Sequence, residues 1–253
     1  MKRVRYYKTL SDDLYPQNED FHLKKDYVWI RTEPWHRMVA ALVYGIAAVC
    51  SSIYCFLFLH ARFHGAKRLR KEKNGFFLYS NHTQSVGDVF LPALACFPKR
   101  IYTVVSPQNY ALPLIGKLLP ALGALPLGEN LSQMRSFNTA VSARIAQKHP
   151  IAIFPEAHVW DYCTFIRPFQ SAAFKYPVTE QVPAYCMTVT YQKHPLLFRP
   201  VMHIYVDGPF FAHCEGAVSL RANDLCDQIT VCMKERAARS NTAFIHYAKQ
   251  EHP

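Results

Sequence analysis

The stretch Asn81-His82-Thr83-Gln84-Ser85-Val86-Gly87-Asp88 sets an imidazole a few residues ahead of a carboxylate. A histidine with a pKa near its ordinary value of about 6.5 can take a proton from a hydroxyl at neutral pH. An aspartate bonded to the other ring nitrogen fixes the tautomer and stabilises the imidazolium. The same residues also read as a helix start, with Asn81, Thr83 or Ser85 capping a helix that begins near Val86. A second cluster is Phe154-Pro155-Glu156-Ala157-His158. A glutamate after a proline at a strand end can point into a site, and it can equally be a surface charge. Further on, Arg167 suits a phosphate or a nearby carboxylate. Cys163 with His158 could form a thiol–imidazole pair. Glu156, His158 and Asp161 offer metal-ligand chemistry but match no recognised spacing, so no metal is expected.

Both clusters follow short apolar runs. Phe76 to Tyr79 reads as a buried strand, as do Ile101 to Val105, Ile151 to Phe154, Ala184 to Tyr191 and Met202 to Val206. Helical periodicity lies between them, at Ser132 to Lys148 and about Arg221 to Ala238. Alternating strands and helices predict an α/β domain around a mostly parallel sheet, and polar clusters after its strands are where sites form. The proline- and leucine-rich stretch Ser106 to Leu127 reads as an irregular apolar surface.

Upstream, Met38 to Leu59 carries no charge and could cross a hydrocarbon core of roughly 30 Å as a helix. Gly45, Ser51 and Ser52 leave open a helix lying in the interface instead. Arg62, Lys67, Arg68, Arg70, Lys71 and Lys73 follow it and would face anionic headgroups on the cytoplasmic side. The expected division is a polar segment over 1–37, a membrane-associating helix over 38–60 and a catalytic domain over 61–253. No cleavable signal peptide is visible in the polar first residues. The net charge of +11 fits a polyanionic partner. Its clustering beside an apolar anchor favours a membrane over nucleic acid. The eight cysteines form no C-x-x-C pair and read as buried reduced thiols.

Taken together, His82 and Asp88 with Phe154-Pro155-Glu156-Ala157 resemble the first and third sequence blocks, N-H-x4-D and F-P-E-G, of the PlsC-like glycerolipid acyltransferases, the 1-acylglycerol-3-phosphate acyltransferase type. Val182-Pro183-Ala184 stands at the fourth block, and Val206-Asp207-Gly208-Pro209 resembles the strand and turn that follow. The resemblance covers about residues 40 to 240. Three departures stand out. Five residues separate His82 from Asp88, not four, and on a continuous helix one extra residue turns a side chain by about 100°. Ala157 replaces the family's glycine. The second block, here Gly123 to Gly128, lacks the family's arginine; Lys117 upstream or Arg135 downstream could replace it.

The resemblance implies direct transfer of a fatty acyl chain from acyl-CoA or acyl carrier protein to a lipid hydroxyl, with His82 as base and Asp88 orienting it. Asn81, Glu156, Arg167, Arg135 and Lys117 would hold substrate. The thioester is a co-substrate, and no cofactor is implied. The implied partners are a lipid acceptor, the thioester donor and an anionic membrane surface. Alternatives are a different lipid acceptor, a non-catalytic relative whose His82 and Asp88 do not meet, and a hydrolase built on Cys163 and His158.

Overall fold

The computed structural model describes residues 3–15, 21–113 and 115–250. In chain order the elements are β1 (Arg3–Tyr7), α1 (Pro34–Ile53), β2 (Arg62–His64), α2 (Lys67–Lys71), β3 (Phe77–Ser80), α3 (Leu91–Cys96), β4 (Tyr102–Val105), α4 (Ile115–Leu122), β5 (Ala124–Pro126) and α5 (Leu131–Ala146). They continue with β6 (Ile151–Ile153), α6 (Lys175–Glu180), β7 (Ala184–Gln192), β8 (Val201–Phe210), α7 (Val218–Ala237) and β9 (Ile245–Lys249). Seven strands form one sheet in the order β2-β8-β7-β3-β6-β4-β5, parallel except for the β7–β8 pair.

β3 lies at the centre, paired with β6 on one side and β7 on the other. Both its faces are covered. Leu78 packs into one core with Leu91, Met187 and Ile204, while Phe77 and Tyr79 pack into a second with Phe137, Phe174 and Ile229. A strand buried on both faces is apolar throughout rather than alternating, which is why the run at 76–79 is legible. Asn130 starts α5 by accepting the Gln133 N–H at 3.0 Å, a side-chain cap one turn ahead of the apolar stripe.

One expectation changes, and two segments show how they pack. The stretch 106–127 is ordered as a turn at Pro107–Ala111, then α4, then β5. Pro113 falls between elements, Pro120 falls near the end of a two-turn helix, and Pro126 ends an edge strand, where no partner needs its missing N–H. Residues 1–37, read from the sequence as a polar N-terminal segment, pack on the domain through their described members. β1 pairs in parallel with β9, and the Trp29 indole donates to the Pro126 carbonyl at 2.8 Å. The apolar helix also does not stand free. α1 runs into a π-helical stretch at Tyr54–Phe58 and lies along α4 and α3. Its outward stripe, including Met38, Leu42, Ile46, Val49 and Ile53, is exposed.

Candidate active site

β3 ends at Ser80, and residues 81–84 form no regular element before the chain turns into a short 3-10 segment at Gly87–Val89. The rotation rule for a continuous helix therefore does not apply to the five intervening residues. The turn brings His82 Nδ1 to 2.8 Å from Asp88 Oδ2. Gly87 sits where a Cβ would meet Leu59 Cδ1 at 3.0 Å and Gln84 Cβ at 3.1 Å, so a larger residue there would press on both side chains. Neither the 3-10 turn nor α3 has a side-chain cap, so the capping alternative for Asn81, Thr83 and Ser85 is not what forms.

Asp88 is buried, and the same oxygen accepts the Thr83 and Gln84 N–H groups at 2.7 and 2.8 Å. Burial pushes its pKa above the ordinary carboxylate range, while the bonds from His82, Gln84 and Thr83 pull it down. With the carboxylate accepting, Nδ1 carries the proton and Nε2 is left as the basic nitrogen. The His82 side chain is 24% exposed, so solvent-side molecules reach it, and Phe154 stacks on the ring at 4.6 Å.

The loop after β6 holds this segment by its backbone. Glu156 Oε2 accepts the His82 N–H at 3.0 Å. The Trp160 N–H donates to the His82 carbonyl at 3.0 Å and the Tyr162 N–H to that of Thr83 at 2.8 Å. Asp161 accepts the Ser85 N–H at 2.9 Å. From the other side, the buried Tyr191 hydroxyl meets Thr83 Oγ1 at 2.9 Å and accepts from Gln84 at 2.9 Å. Backbone groups in an irregular buried loop need partners, and here each comes from a fixed element.

Several residues expected to hold substrate are placed elsewhere. Asn81 is buried and spends both ends of its amide on the Val189 backbone, at 3.0 and 2.8 Å. Glu156 is buried, and its second oxygen accepts the Arg167 N–H at 2.9 Å. Arg167 reaches Glu156 Oε2 at 3.0 Å, bonds the His158 carbonyl and lies over the Trp160 ring at 4.8 Å. Its side chain is 0% exposed, so of its two expected roles the geometry gives the carboxylate pair. Burial pushes Glu156 upward, opposed by Arg167 and the backbone donors. Lys117 on α4 and Arg135 on α5 are exposed and enter no ion pair among the described residues.

Other readings of the third block fail on distance and burial. Cys163 is buried, donates to the Phe165 carbonyl at 3.3 Å, and has its pKa pushed up to about 12 by burial. His158 faces Asp13 at 3.2 Å, not the thiol. Glu156, His158 and Asp161 turn to Arg167, Asp13 and Tyr15, so they do not converge as a ligand set. Among the described residues, the ligand atoms that do gather are those of Cys186, Asp207 and Cys232, but Asp207 is held by Arg236 at 2.8 and 2.6 Å.

Sequence reasoning missed Tyr191 and the backbone role of Trp160 and Tyr162. A tyrosine inside a strand predicted to be buried was the available signal, since its hydroxyl must find a partner.

The mostly parallel α/β sheet carries a bonded histidine–aspartate pair beyond its central strand. Comparison with known proteins names the reaction class. A family model described as Acyltransferase matches residues 60–191, more than half of the sequence. The chain belongs to the Acyltransferase family. Among solved structures it is similar to the 1-acyl-sn-glycerophosphate (LPA) acyltransferase PlsC from Thermotoga maritima, with a TM-score of 0.55 and 15% identity over 84% of this chain and 86% of that one. That likeness speaks for the fold. Among curated proteins none matches.

Proposed function

We propose that the protein transfers a fatty acyl group from an acyl thioester, acyl-CoA or acyl carrier protein, to a hydroxyl of a lipid acceptor during phospholipid biosynthesis. The observation that carries this is the 2.8 Å contact between His82 and Asp88 on a partly exposed ring. His82 Nε2 takes the hydroxyl proton as the oxygen attacks the thioester carbonyl. The carbon–sulfur bond then breaks, and the departing thiolate takes the proton back from the imidazolium. Asp88 orients the ring and stabilises its cationic form. The non-catalytic alternative required these two groups to be apart, and they are bonded.

The acceptor proposed first is 1-acylglycerol-3-phosphate. Lys117 and Arg135 are the exposed cations left to meet its phosphate. α1 gives a reason for a lipid acceptor. A helix lying along the domain with its outward stripe apolar fits monotopic insertion into one leaflet, because an upright span would drag α3 and α4 into hydrocarbon. The basic run from Arg62 to Lys73 would sit at the headgroups, on the cytoplasmic face.

The test is acyl transfer by the purified protein, with acyl-CoA and 1-acylglycerol-3-phosphate in mixed micelles, for wild type and His82→Ala. The expected result is product from wild type and none above background from the variant. Undiminished turnover by His82→Ala would sink the mechanism. Turnover only with other lysolipids would move the acceptor.

A further inference from the structure

Two arginines, Arg100 and Arg144, share one aromatic ring far from the catalytic pair, and a third, Arg37, lies within reach of their charge. Arg37 lies in the first turn of α1, Arg100 just before β4, and Arg144 in the last turn of α5. Arg144 Cζ is 4.4 Å from the centre of the Tyr102 ring. Arg100 Cζ is 5.5 Å from that same ring and 5.1 Å from the ring of Tyr44 on α1. The buried side of His149 closes the cluster, its ring 5.3 Å from that of Tyr102. Burial lowers the Arg144 pKa, and the charges of Arg100 and Arg37 lower it further.

No carboxylate answers this charge. Among the described residues none of the three arginines is ion-paired, and the nearest acid on α1's side, Glu33, faces His36 at 3.5 Å. The Nε atoms of Arg100 and Arg144 are buried with no hydrogen-bond partner. Their other groups make single contacts, Arg100 to the Ala121 carbonyl at 2.6 Å and Arg144 to Gln147 at 2.9 Å. Like charges gathered on low-dielectric ring surfaces repel unless an anion completes the group. Guanidinium forks match phosphate oxygens in particular.

The place in the fold separates this cluster from His82. Tyr102 pairs with Ile151, the first residue of β6, and Ile151 pairs with Phe77, the first residue of β3. The cluster is thus at the N-terminal edge of the parallel strands, and His82 lies beyond their C-terminal edge. It is also beside the apolar helix: Arg37 stands between Trp35 and Met38, both exposed. We propose that Arg37, Arg100 and Arg144 form a binding site for the phosphate of an anionic lipid headgroup, distinct from the acyl-transfer site. The site rests on the membrane reading above and not on the reaction.

The experiment is vesicle flotation of the full chain. Phosphatidylcholine vesicles are compared with ones carrying about 20% phosphatidic acid, since each basic residue near an anionic surface contributes about 1 kcal/mol. Wild type should prefer the anionic vesicles by about tenfold, and Arg37→Gln/Arg144→Gln should lose most of that preference while still binding phosphatidylcholine. Should the double variant melt early, Arg37→Gln alone should lower the preference about threefold. Three results would overturn the site: full preference in the variants, an equal loss in a Lys193→Gln/Lys249→Gln control at exposed lysines outside the basic run, or a rise in melting temperature with inorganic phosphate and no preference for anionic vesicles. Acyl transfer in micelles is a separate readout, so inactivity of the enzyme and absence of this site are distinguishable.

Discussion

The carboxylate of Glu156 accepts the backbone N–H of His82 at 3.0 Å. The third sequence block therefore acts on the first through the main chain: it fixes where the imidazole is, while Asp88 fixes how the ring is turned. Both carboxylates are buried; Glu156 uses both oxygens inside the protein, whereas Asp88 uses Oδ2 alone and its Oδ1 has no hydrogen-bond partner.

Asp88→Asn keeps the shape of the turn but removes the charge that stabilises the imidazolium. Acyl transfer should fall by roughly 10² to 10⁴ in kcat, with KM for the acceptor little changed. Steady-state kinetics in micelles checks this. A variant as active as wild type would show that the pair is structural only.

Glu156→Gln should cost stability and kcat rather than acceptor affinity. Breaking a buried ion pair on one side typically costs roughly 3–5 kcal/mol, which in a chain of this size lowers the melting temperature by about 10 °C. Calorimetry and the KM-against-kcat split decide it. A raised KM with an unshifted melting temperature would instead place Glu156 against substrate.

Thiol alkylation should leave the enzyme working. Burial pushes Cys55, Cys96 and Cys163 each up to about 12, and the thiolate is the form that reacts. At pH 8, below those values, only about one part in 10⁴ of each is thiolate, rising as pH rises. Iodoacetamide should mark the exposed Cys50 and the partly exposed Cys214 and Cys232, as read by peptide mass mapping. Modified Cys163 accompanied by lost activity would revive the thiol mechanism.

Leu42→Glu/Ile46→Glu should release the protein from neutral vesicles. Each apolar side chain withdrawn from water contributes about 1.5–3 kcal/mol, so partitioning should drop by at least about a hundredfold while micellar activity survives. Retention on vesicles would mean that the outward stripe of α1 is not the lipid contact.

The parallel sheet was readable because its central strands are apolar on both faces, with β-branched and aromatic runs at Ile101 to Val105 and Ala184 to Tyr191. β2 and β5, three residues each at the sheet edges, and the β1–β9 pair are too short or too polar to announce themselves. At the site, residue types and order pointed to His82 and Asp88. Their contact could not be derived from helical spacing, because residues 81–84 are not helical. Nor does a sequence say which way a side chain faces. Asn81, Glu156 and Arg167 carry groups that bind ligands well, and burial turns all three inward to Val189, to His82 and to each other.

The π-helical end of α1 ties the apolar helix to the loop that carries His82. Cys55 in that stretch is fully buried, and Leu59 just beyond it closes on Gly87, next to Asp88. A wider turn at this point lets the chain leave the apolar stripe and dive beneath the catalytic loop without a break. Under the proposed membrane reading, the depth at which the helix settles in a leaflet would pass directly to the imidazole, so bilayer thickness and headgroup size would select which hydroxyl comes within its reach.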